Sequence, residues 1–387
     1  MAPTIVIIGG GPSGLTLARL LECNDIDYVV YERNISENSP PGQGGSLDIH
    51  GATGQEALKR GGLSAEFEKL ARRDATVAQI ADKGKQLVKF GEDRDAPEID
   101  RVQLRKLLLN SIPSHKIQWN KAVTQVKRDS EGNVVLHFAD GTNATGFRLV
   151  VGADGAWSKV RHLLTPAKPK YSGKSYIEGK ISPGNSFYRQ VEARVGHGSM
   201  LAFGLRKHLA VQQMSDGSYR IYLGLTVDEN AFAVGNPNVD LVADNGTLAR
   251  QFFLSQPGYF ADWDSELKGI IANSEGGFRY WPLYHMAPDS LNWEHAPQVT
   301  LIGDAAHVST PFVGEGVNCA MYDALVLLEK ILEFGTGDGL DRAVAEYEMD
   351  MFKRGRDLIE RSMESAELLF AEDAPNGLVQ IIQGSSE

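Results

Sequence analysis

Apolar and polar residues follow one another along this 387-residue chain in two periods, and the switches between them outline its elements. Ile5 to Ile8 is a short β-branched run of the kind that forms a strand buried on both faces. It stops at three consecutive glycines. After Pro12, the residues Leu15, Leu17, Ala18, Leu20 and Leu21 make the apolar face of a helix. The next apolar run, in DYVVYER, ends at Glu32.

Further on, NISENSPPGQGGSLDIHG is a glycine- and proline-rich loop that contains Gly45 and Asp48 and leads into a helix from about Gly54. PEIDRVQLRKLLLNSI predicts a helix from near Asp100, whose carboxylate is expected to cap it, with Arg101 and Arg105 about one turn apart. IQWNKAVTQVKRD and VVLHFADGTNATG alternate and read as antiparallel strands, with Asp140-Gly141 as a hairpin turn. FRLVVGADGAWSKVR is a second buried strand ending at Gly152, Ala153, Asp154 and Gly155, with Ser158 and Arg161 beyond. From about residue 171 to 279 the pattern becomes that of a larger antiparallel sheet. The chain then returns to strand, loop and helix: Val299 to Ile302, a turn at Gly303-Asp304, a loop shaped by Pro311, Gly314 and Gly316, and a helix from Val317 to about Leu332. Val344, Tyr347 and Met351 lie along one face of a last amphipathic helix.

This order predicts an α/β protein: a Rossmann-like nucleotide-binding domain, an inserted antiparallel-sheet domain and a long C-terminal helix. The expected boundaries are 1–75, 95–170 and 280–335 for the nucleotide-binding domain and 76–94 and 171–279 for the substrate domain. Residues 336–387 are expected to form a helical segment bridging the two.

The first glycine run carries chemistry. Gly9, Gly11 and Gly14 form G-x-G-x-x-G, with Pro12 and Ser13 between, where a strand gives way to a helix. Gly9 permits the turn, Gly11 lets backbone approach a pyrophosphate, and Gly14 lets the helix pack closely, while the helix N-terminus attracts phosphate. Glu32 follows Gly14 at close to the ~20-residue spacing of a carboxylate that binds ribose hydroxyls. The later strand end at Asp304, followed by the helix start at Val317 and Asn318, is a second nucleotide-facing loop. Two such loops far apart in sequence imply one long cofactor.

Charge and composition narrow the class. A net charge of −11 and pI near 5.4 disfavour nucleic acid and anionic membranes as partners. Cys23 and Cys319 offer no disulfide or metal framework. No apolar run of about 18 residues predicts a membrane span, and the first strand begins too early for a leader, so a cytoplasmic monomer is expected. No Ser/His/Asp arrangement, metal-ligand cluster or P-loop lysine is visible. His50 and His307 read as structural.

The glycine loop with Glu32, the D-G-x-x-S-x-V-R run at 154–161 and the G-D-A-A-H run at 303–307 followed by P-F-V-G-E-G-V-N together resemble the single-component FAD-dependent aromatic hydroxylases typified by para-hydroxybenzoate hydroxylase. Within that family GGSLDIH, PEIDRVQLRKLLLNS and IGDAAHVSTPFVGEGVN are most similar to the tetracycline-inactivating monooxygenases. The resemblance implies FAD, with NADPH or NADH as a transient reductant and O2 as oxidant, hydroxylating an electron-rich polyketide-like or phenolic small molecule through a C4a-hydroperoxyflavin. By the same resemblance Glu32 binds the adenosine ribose and Arg33 lies near the flavin. Asp48, Arg101 and Asp304 contact FAD, as do Gly45, Asp154, Gly155, Pro311, Gly314, Gly316, Val317 and Asn318. Glu178, Ser199 and Tyr222 align with the glutamine, arginine and histidine that engage tetracycline, and Gln212 and Phe312 join Glu178 and Tyr222 as candidate substrate contacts. Pro41 stands where the tetracycline enzymes carry an arginine implicated in NADPH binding. An FAD-dependent oxidase or dehydrogenase on the same fold and a small-molecule sequestering protein are the alternatives.

Overall fold

A computed structural model describes residues 4–39, 44–75, 78–82, 85–91, 94–235 and 239–384. In chain order it begins with strand β1 (Ile5–Ile8), helix α1 (Pro12–Glu22), β2 (Tyr28–Tyr31), β3 (Ser46–Asp48), α2 (Glu56–Arg60), α3 (Ser64–Glu68), β4 (Ala78–Asp82), β5 (Lys85–Phe90) and β6 (Glu98–Asp100). There follow α4 (Arg101–Asn110), β7 (Ile117–Gln118), β8 (Val123–Arg128), β9 (Val134–Phe138), β10 (Asn143–Ala144), β11 (Leu149–Gly152), β12 (Lys170–Ile181), α5 (Tyr188–Val195), β13 (Ser199–Gly204), β14 (Lys207–Gln213) and β15 (Tyr219–Thr226). The last part holds α6 (Thr247–Ser255), α7 (Ser265–Ala272), β16 (Arg279–His285), β17 (Val299–Leu301), α8 (Asp304–His307), α9 (Gly316–Phe334), α10 (Leu340–Leu369) and α11 (Asn376–Gly384). No helix among the described residues is long and apolar enough to cross a membrane.

The chain divides into two compact units. The first comprises Met1–Ala71, Arg101–Lys170 and Tyr284–Ser362. Its parallel sheet has the order β17-β11-β1-β2-β7. β1 sits at its centre, with Ile5 opposite Leu149 on one side and Tyr28 on the other. Its four residues are all buried, which is why they read as an unbroken apolar run rather than an alternating one. Leu15, Leu17, Leu20 and Leu21 of α1 are buried as well. A Cβ on Gly14 would lie 2.1 Å from the Gly9 carbonyl oxygen, so only glycine lets α1 start this close to the loop. The helix expected from Gly54 begins earlier, with a π turn at Gly51–Gln55.

Two expectations fail for local reasons. The segment read as one antiparallel strand from Ile117 is two: β7 pairs in parallel with β2, and β8 pairs antiparallel with β9. Asn120, at φ +56°, turns the chain between them. Asp100 does not cap α4. Its carboxylate accepts from Ser215 N–H and Oγ and from Arg72. The turn at Asp140-Gly141 is present between β9 and β10, with Gly141 at φ +81°.

The second unit is Arg72–Asp100, Tyr171–Leu283 and Met363–Glu387. It is built on a seven-stranded sheet of order β16-β12-β15-β14-β13-β4-β5. The sheet is antiparallel through β12, β15, β14 and β13, and β13 then pairs in parallel with β4. One face is the core: Ile177, Ile181, Ile221, Leu223, Leu209, Val211 and Met200 pack with Val191, Phe253, Leu267 and Ile270 of the helices. Strand periodicity puts Tyr176, Glu178, Tyr222 and Gln212 on the other face.

Candidate functional site

The first loop ends at a helix start whose backbone donors have no side-chain partner. α1 starts from Gly11 with Pro12 in its first turn and no side chain capping it, so its leading N–H groups remain for a ligand. A Cβ on Gly11 would meet nothing within 4 Å, whereas one on Gly9, at φ +114°, would lie 2.3 Å from the Ala153 oxygen. The space in front of Gly11 is therefore open while its flanks are packed. Ser13 is buried beside it. Glu32, at the end of β2, is buried, accepting the Gly10 N–H at 2.5 Å on Oε2 and the Asn34 N–H at 2.9 Å on Oε1. Each oxygen keeps a lone pair for a hydroxyl. Arg33 is exposed next to it. Arg105, which sequence left open, reaches this loop: its Nε donates to the Gly10 carbonyl at 3.3 Å and its guanidinium lies over the Trp119 ring.

The second loop is tied together from several directions. Arg161 is buried, and each of its three guanidinium nitrogens donates to a carbonyl: Ala305 at 2.8 Å, Ala156 at 2.8 Å and Asp304 at 3.0 Å. It thereby joins the Asp154-Gly155 turn to the start of α8, where the Asp304 side chain is exposed. Asp154 Oδ2 accepts the Lys159 N–H at 2.7 Å, while Oδ1 is buried with no hydrogen-bond partner. Burial pushes this carboxyl above its ordinary range. Gly155 (φ +80°) and Gly314 (φ +71°) both face open space. The loop from Pro311 runs through Gly314 to α9, which begins at Gly316 and, like α1, has no side-chain cap. Val317 and Asn318 occupy its first turn. Asn318 clamps the β3 end, its Nδ2 donating to the Asp48 carbonyl and its Oδ1 accepting the His50 N–H, each at 2.8 Å. The Arg101 N–H donates to the Gly45 carbonyl at 3.2 Å. Pro41 lies outside the described residues.

Beneath this loop is a network that sequence reasoning missed. His307 Nε2 lies 2.6 Å from Asp323 Oδ2, which also accepts the Gly303 N–H at 2.8 Å; Asp323 Oδ1 accepts from Arg354 at 3.1 Å. Burial works against a charged imidazole, but its neighbours Cys319 and Asp323 outweigh that and raise His307 well above its ordinary range. Burial likewise opposes the Asp323 carboxylate, and His307, Arg354 and the Gly303 N–H overcome it, holding Asp323 below its ordinary range. His307, Cys319 and Asp323 offer ligand-type atoms within 4.8 Å of one another. Cys319 Sγ is 3.8 Å from the same Nε2 that meets Asp323, and Nδ1 has no partner. A nucleophile triad divides acid and nucleophile between the two ring nitrogens. This cluster does not, and it reads as an ion-pair brace for the loop.

On the polar face of the second unit, register gathers the residues aligned with substrate contacts. Glu178 pairs with Tyr222, and Ser199 with Gln212, which in turn pairs with Arg220. Tyr176 lies 5.4 Å from Tyr222, centroid to centroid. His208 Nε2 is 3.3 Å from the Tyr176 hydroxyl, and burial pushes this histidine down to about 3. Gly224 makes its space, since a Cβ there would sit 2.4 Å from the ring. Phe312 is not on this face: it belongs to the Pro311–Val313 turn of the first unit.

Residues 2–182 and 281–362 match the FAD binding domain family. The chain belongs to that family, the para-hydroxybenzoate hydroxylase-like flavin monooxygenases. Monooxygenase asqM of Emericella nidulans is 30% identical over 96% of each chain. Klebsiella pneumoniae HpxO, solved with FAD and uric acid, superposes with a TM-score of 0.78 at 22% identity, covering 98% of this chain and 93% of its own. Tetracycline destructase Tet(55) gives 0.72 at 17% identity, covering 99% and 95%. At those identities the two structures show a shared fold.

The residues of this flavin monooxygenase family member fit FAD on physical grounds. Two uncapped helix starts, open space at Gly11, Gly155 and Gly314, and the orphaned buried Oδ1 of Asp154 are the donors, room and acceptor that a dinucleotide requires. Asp323, Arg354, Tyr176, Arg220 and Trp281 had no sequence signal, because each acquires its role from a partner brought close only by folding.

Proposed function

We propose that this family member holds FAD, takes electrons from NADPH or NADH, and uses O2 to hydroxylate an electron-rich fused-ring or phenolic, polyketide-like small molecule. The observation that carries the reading is the occurrence in one chain of two glycine-containing loops that lead into uncapped helix starts and a half-buried, polar and aromatic sheet face. Glu32 is assigned to the adenosine ribose; the backbone N–H groups of the loop formed by Gly9, Gly11, Pro12, Ser13 and Gly14, proline itself having none, to the pyrophosphate; Arg33 to the neighbourhood of the flavin; and Asp304 to the ribityl chain. Gly45, Asp48, Arg101, Asp154, Gly155 and the Pro311–Asn318 loop complete the cofactor set. The first N–H groups of α9 favour negative charge on the ring system they face. Bound FAD, once reduced, supplies the activation of O2 for oxygen transfer to carbon. The chain's own part is to orient and to exclude water, with Glu178, Gln212, Tyr222 and Phe312 as the proposed substrate contacts.

The test is incubation of FAD-loaded protein with NADPH, labelled O2 and a panel of polyphenols, anthraquinone-like polyketides, indoles and tetracyclines. One labelled oxygen atom in product per NADPH consumed is the expected result. Tetracyclines are expected to give weak or poorly coupled oxidation, because Glu178 is already bound to Arg220 and Trp281. Substrate oxidation without label, as in an oxidase, or stoichiometric binding without turnover, as in a sequestering protein, overturns the proposal.

A further inference from the structure

Glu315 stands immediately before α9, at the boundary of an uncapped helix start in the first unit. Its carbonyl accepts the Cys319 N–H at 2.9 Å, so the N–H groups of Gly316, Val317 and Asn318 come before this first helical bond. A carboxylate in such a place is drawn toward those donors and the positive end of the helix dipole. Here it is turned elsewhere. Arg361, on α10 and 46 residues further along the chain, takes both of its oxygens in a fork: Nη1 donates to Oε1 at 2.8 Å and Nη2 to Oε2 at 2.6 Å. The Nε of the same guanidinium donates to Asp357 Oδ2 at 2.8 Å, one turn back on α10, which steadies the fork from its own helix. Hydrogen bonding from Arg361 holds the Glu315 carboxyl below its ordinary range, against the opposing effects of burial and of Asp357. Glu315 is therefore a charged group, and its charge is spoken for.

The side chains of Arg361 and Glu315 are 41% and 31% exposed, and an ion pair this open to water is a weak source of stability. What the contact settles is where the carboxylate goes. Out of the fork, Glu315 has two resting places, the N–H groups at the start of α9 or the water beside them. Each leaves an unpaired anion next to the donors that a negatively charged ring would use, and like charges that close oppose one another. A two-point fork fixes direction as well as charge, which a single ammonium does not. Resting on the FAD monooxygenase reading above, we propose that Arg361 is a positioning residue that clamps Glu315 away from the start of α9 and so reserves those N–H groups for the negative charge that gathers on bound flavin when it is reduced. Arg361 acts through Glu315, and the backbone of α9 makes the contact with the cofactor.

The test uses FAD-loaded protein reduced with dithionite in the absence of air, and reads two properties of the bound flavin that need neither substrate nor turnover. One is the pH at which reduced flavin gives up a ring proton and becomes an anion, followed by absorbance. The other is the two-electron midpoint potential, measured against a reference dye at a pH where that anion is the stable form. Arg361→Gln is expected to disfavour the anion about tenfold, seen as a rise of about one pH unit in proton release. The same tenfold in the reduction equilibrium lowers the potential by about 30 mV. Adding Glu315→Gln to that variant removes the freed charge and should restore both values, a reversal that a merely structural role for Arg361 does not produce. Arg361→Lys keeps the charge without the fork; it should show part of the loss, and it carries the test if Arg361→Gln does not fold. Unchanged values in Arg361→Gln, or a loss that persists in full in the double variant, overturns the inference. FAD content and NADPH-dependent oxygen incorporation separate the two levels. A protein that holds FAD and inserts oxygen yet shows no such shift loses only this inference, whereas one that holds no FAD loses the monooxygenase reading itself.

Discussion

The glycine loops of the first unit and the polar sheet face of the second are built in opposite ways. In the loops the character comes from the backbone: Gly9 at φ +114°, open space at Gly11 and two uncapped helix starts. On the sheet face the backbone is regular, and all character comes from side chains set by register. A backbone site tolerates few substitutions and keeps its ligand, whereas a side-chain site can exchange Glu, Ser or Tyr at one position without disturbing the strand. The expected consequence is a fixed cofactor with a variable substrate.

The sharpest way to break that contrast is inside the first loop. Gly11 and Gly14 look alike in sequence but not in space. A valine at Gly11 meets open space, so Gly11→Val is expected to cost the apo-fold no more than ~1 kcal/mol, the scale of a poorer N-cap. It should nevertheless lower FAD affinity by about a thousandfold, ~4 kcal/mol, because its side chain fills the phosphate cradle. Gly14→Val should do the reverse and fail at folding, since its Cβ would lie 2.1 Å from the Gly9 oxygen. Thermal melts of apo-protein and flavin content after reconstitution check both. Equal melting temperatures for the two variants would erase the distinction.

Next in size is the brace under the second loop. His307 and Asp323 are 1% and 0% exposed, so removing one partner strands a buried charge and is expected to cost ~3–5 kcal/mol for His307→Ala or Asp323→Asn. The pH dependence has a definite sign. His307 is raised by folding, so its contribution is complete below the unfolded value near ~6.5 and is lost as pH rises through the raised value. Asp323 is lowered, so its contribution is present above ~3.9 and is lost as pH falls through the lowered value. The stability gap between wild type and His307→Ala should therefore be widest between about pH 4 and 6.5 and narrow on the alkaline side. Chemical denaturation across pH measures it, and a gap independent of pH would show that no charged pair exists.

These two regions also show what was legible in the chain. β1, α1 and Glu32 could be read because buried parallel strands are unbroken apolar runs and because glycine spacing is itself the geometry. The brace was not: Asp323 lies 16 residues beyond His307, and Arg354 a further 31, separations with no repeating signal. Glu178 could be singled out, but its partners lie 42 and 103 residues away on other strands. Asp100 had the right position for a cap, and a tertiary bond to Ser215, 115 residues away, took its carboxylate. Local pattern therefore gave the elements, while the charged pairs between them required the fold.

A smaller effect is expected where side chains enter the cofactor set. If Asp304 and Arg101 each give FAD one charge-assisted hydrogen bond, Asp304→Ala and Arg101→Ala should each cost ~1.5–3 kcal/mol, roughly ten- to a hundredfold in affinity. The fold should survive Asp304→Ala, because Arg161 is held by the Asp304 carbonyl rather than its carboxylate. Flavin titration of apo-protein would test this, and unchanged affinity in both variants would remove these residues from the cofactor set.

The least disruptive change lies on the sheet face, at Tyr222. Tyr222→Phe keeps the ring that packs 5.4 Å from Tyr176 and the strand register opposite Glu178, and deletes only a hydroxyl. If that hydroxyl gives the substrate a neutral hydrogen bond, its loss should cost ~0.5–1.5 kcal/mol, about two- to tenfold in KM. Flavin content and the reduction rate of bound FAD in the absence of substrate should stay as in wild type. The decisive quantity is the ratio of product formed to NADPH consumed with whichever compound the labelled-oxygen screen identifies, because a substrate held less firmly lets more reducing power escape as hydrogen peroxide. A lower ratio with unchanged flavin properties assigns Tyr222 to substrate positioning. Loss of flavin instead would mean that this face shapes the cofactor, and that backbone sites and side-chain sites are less separate than their construction suggests.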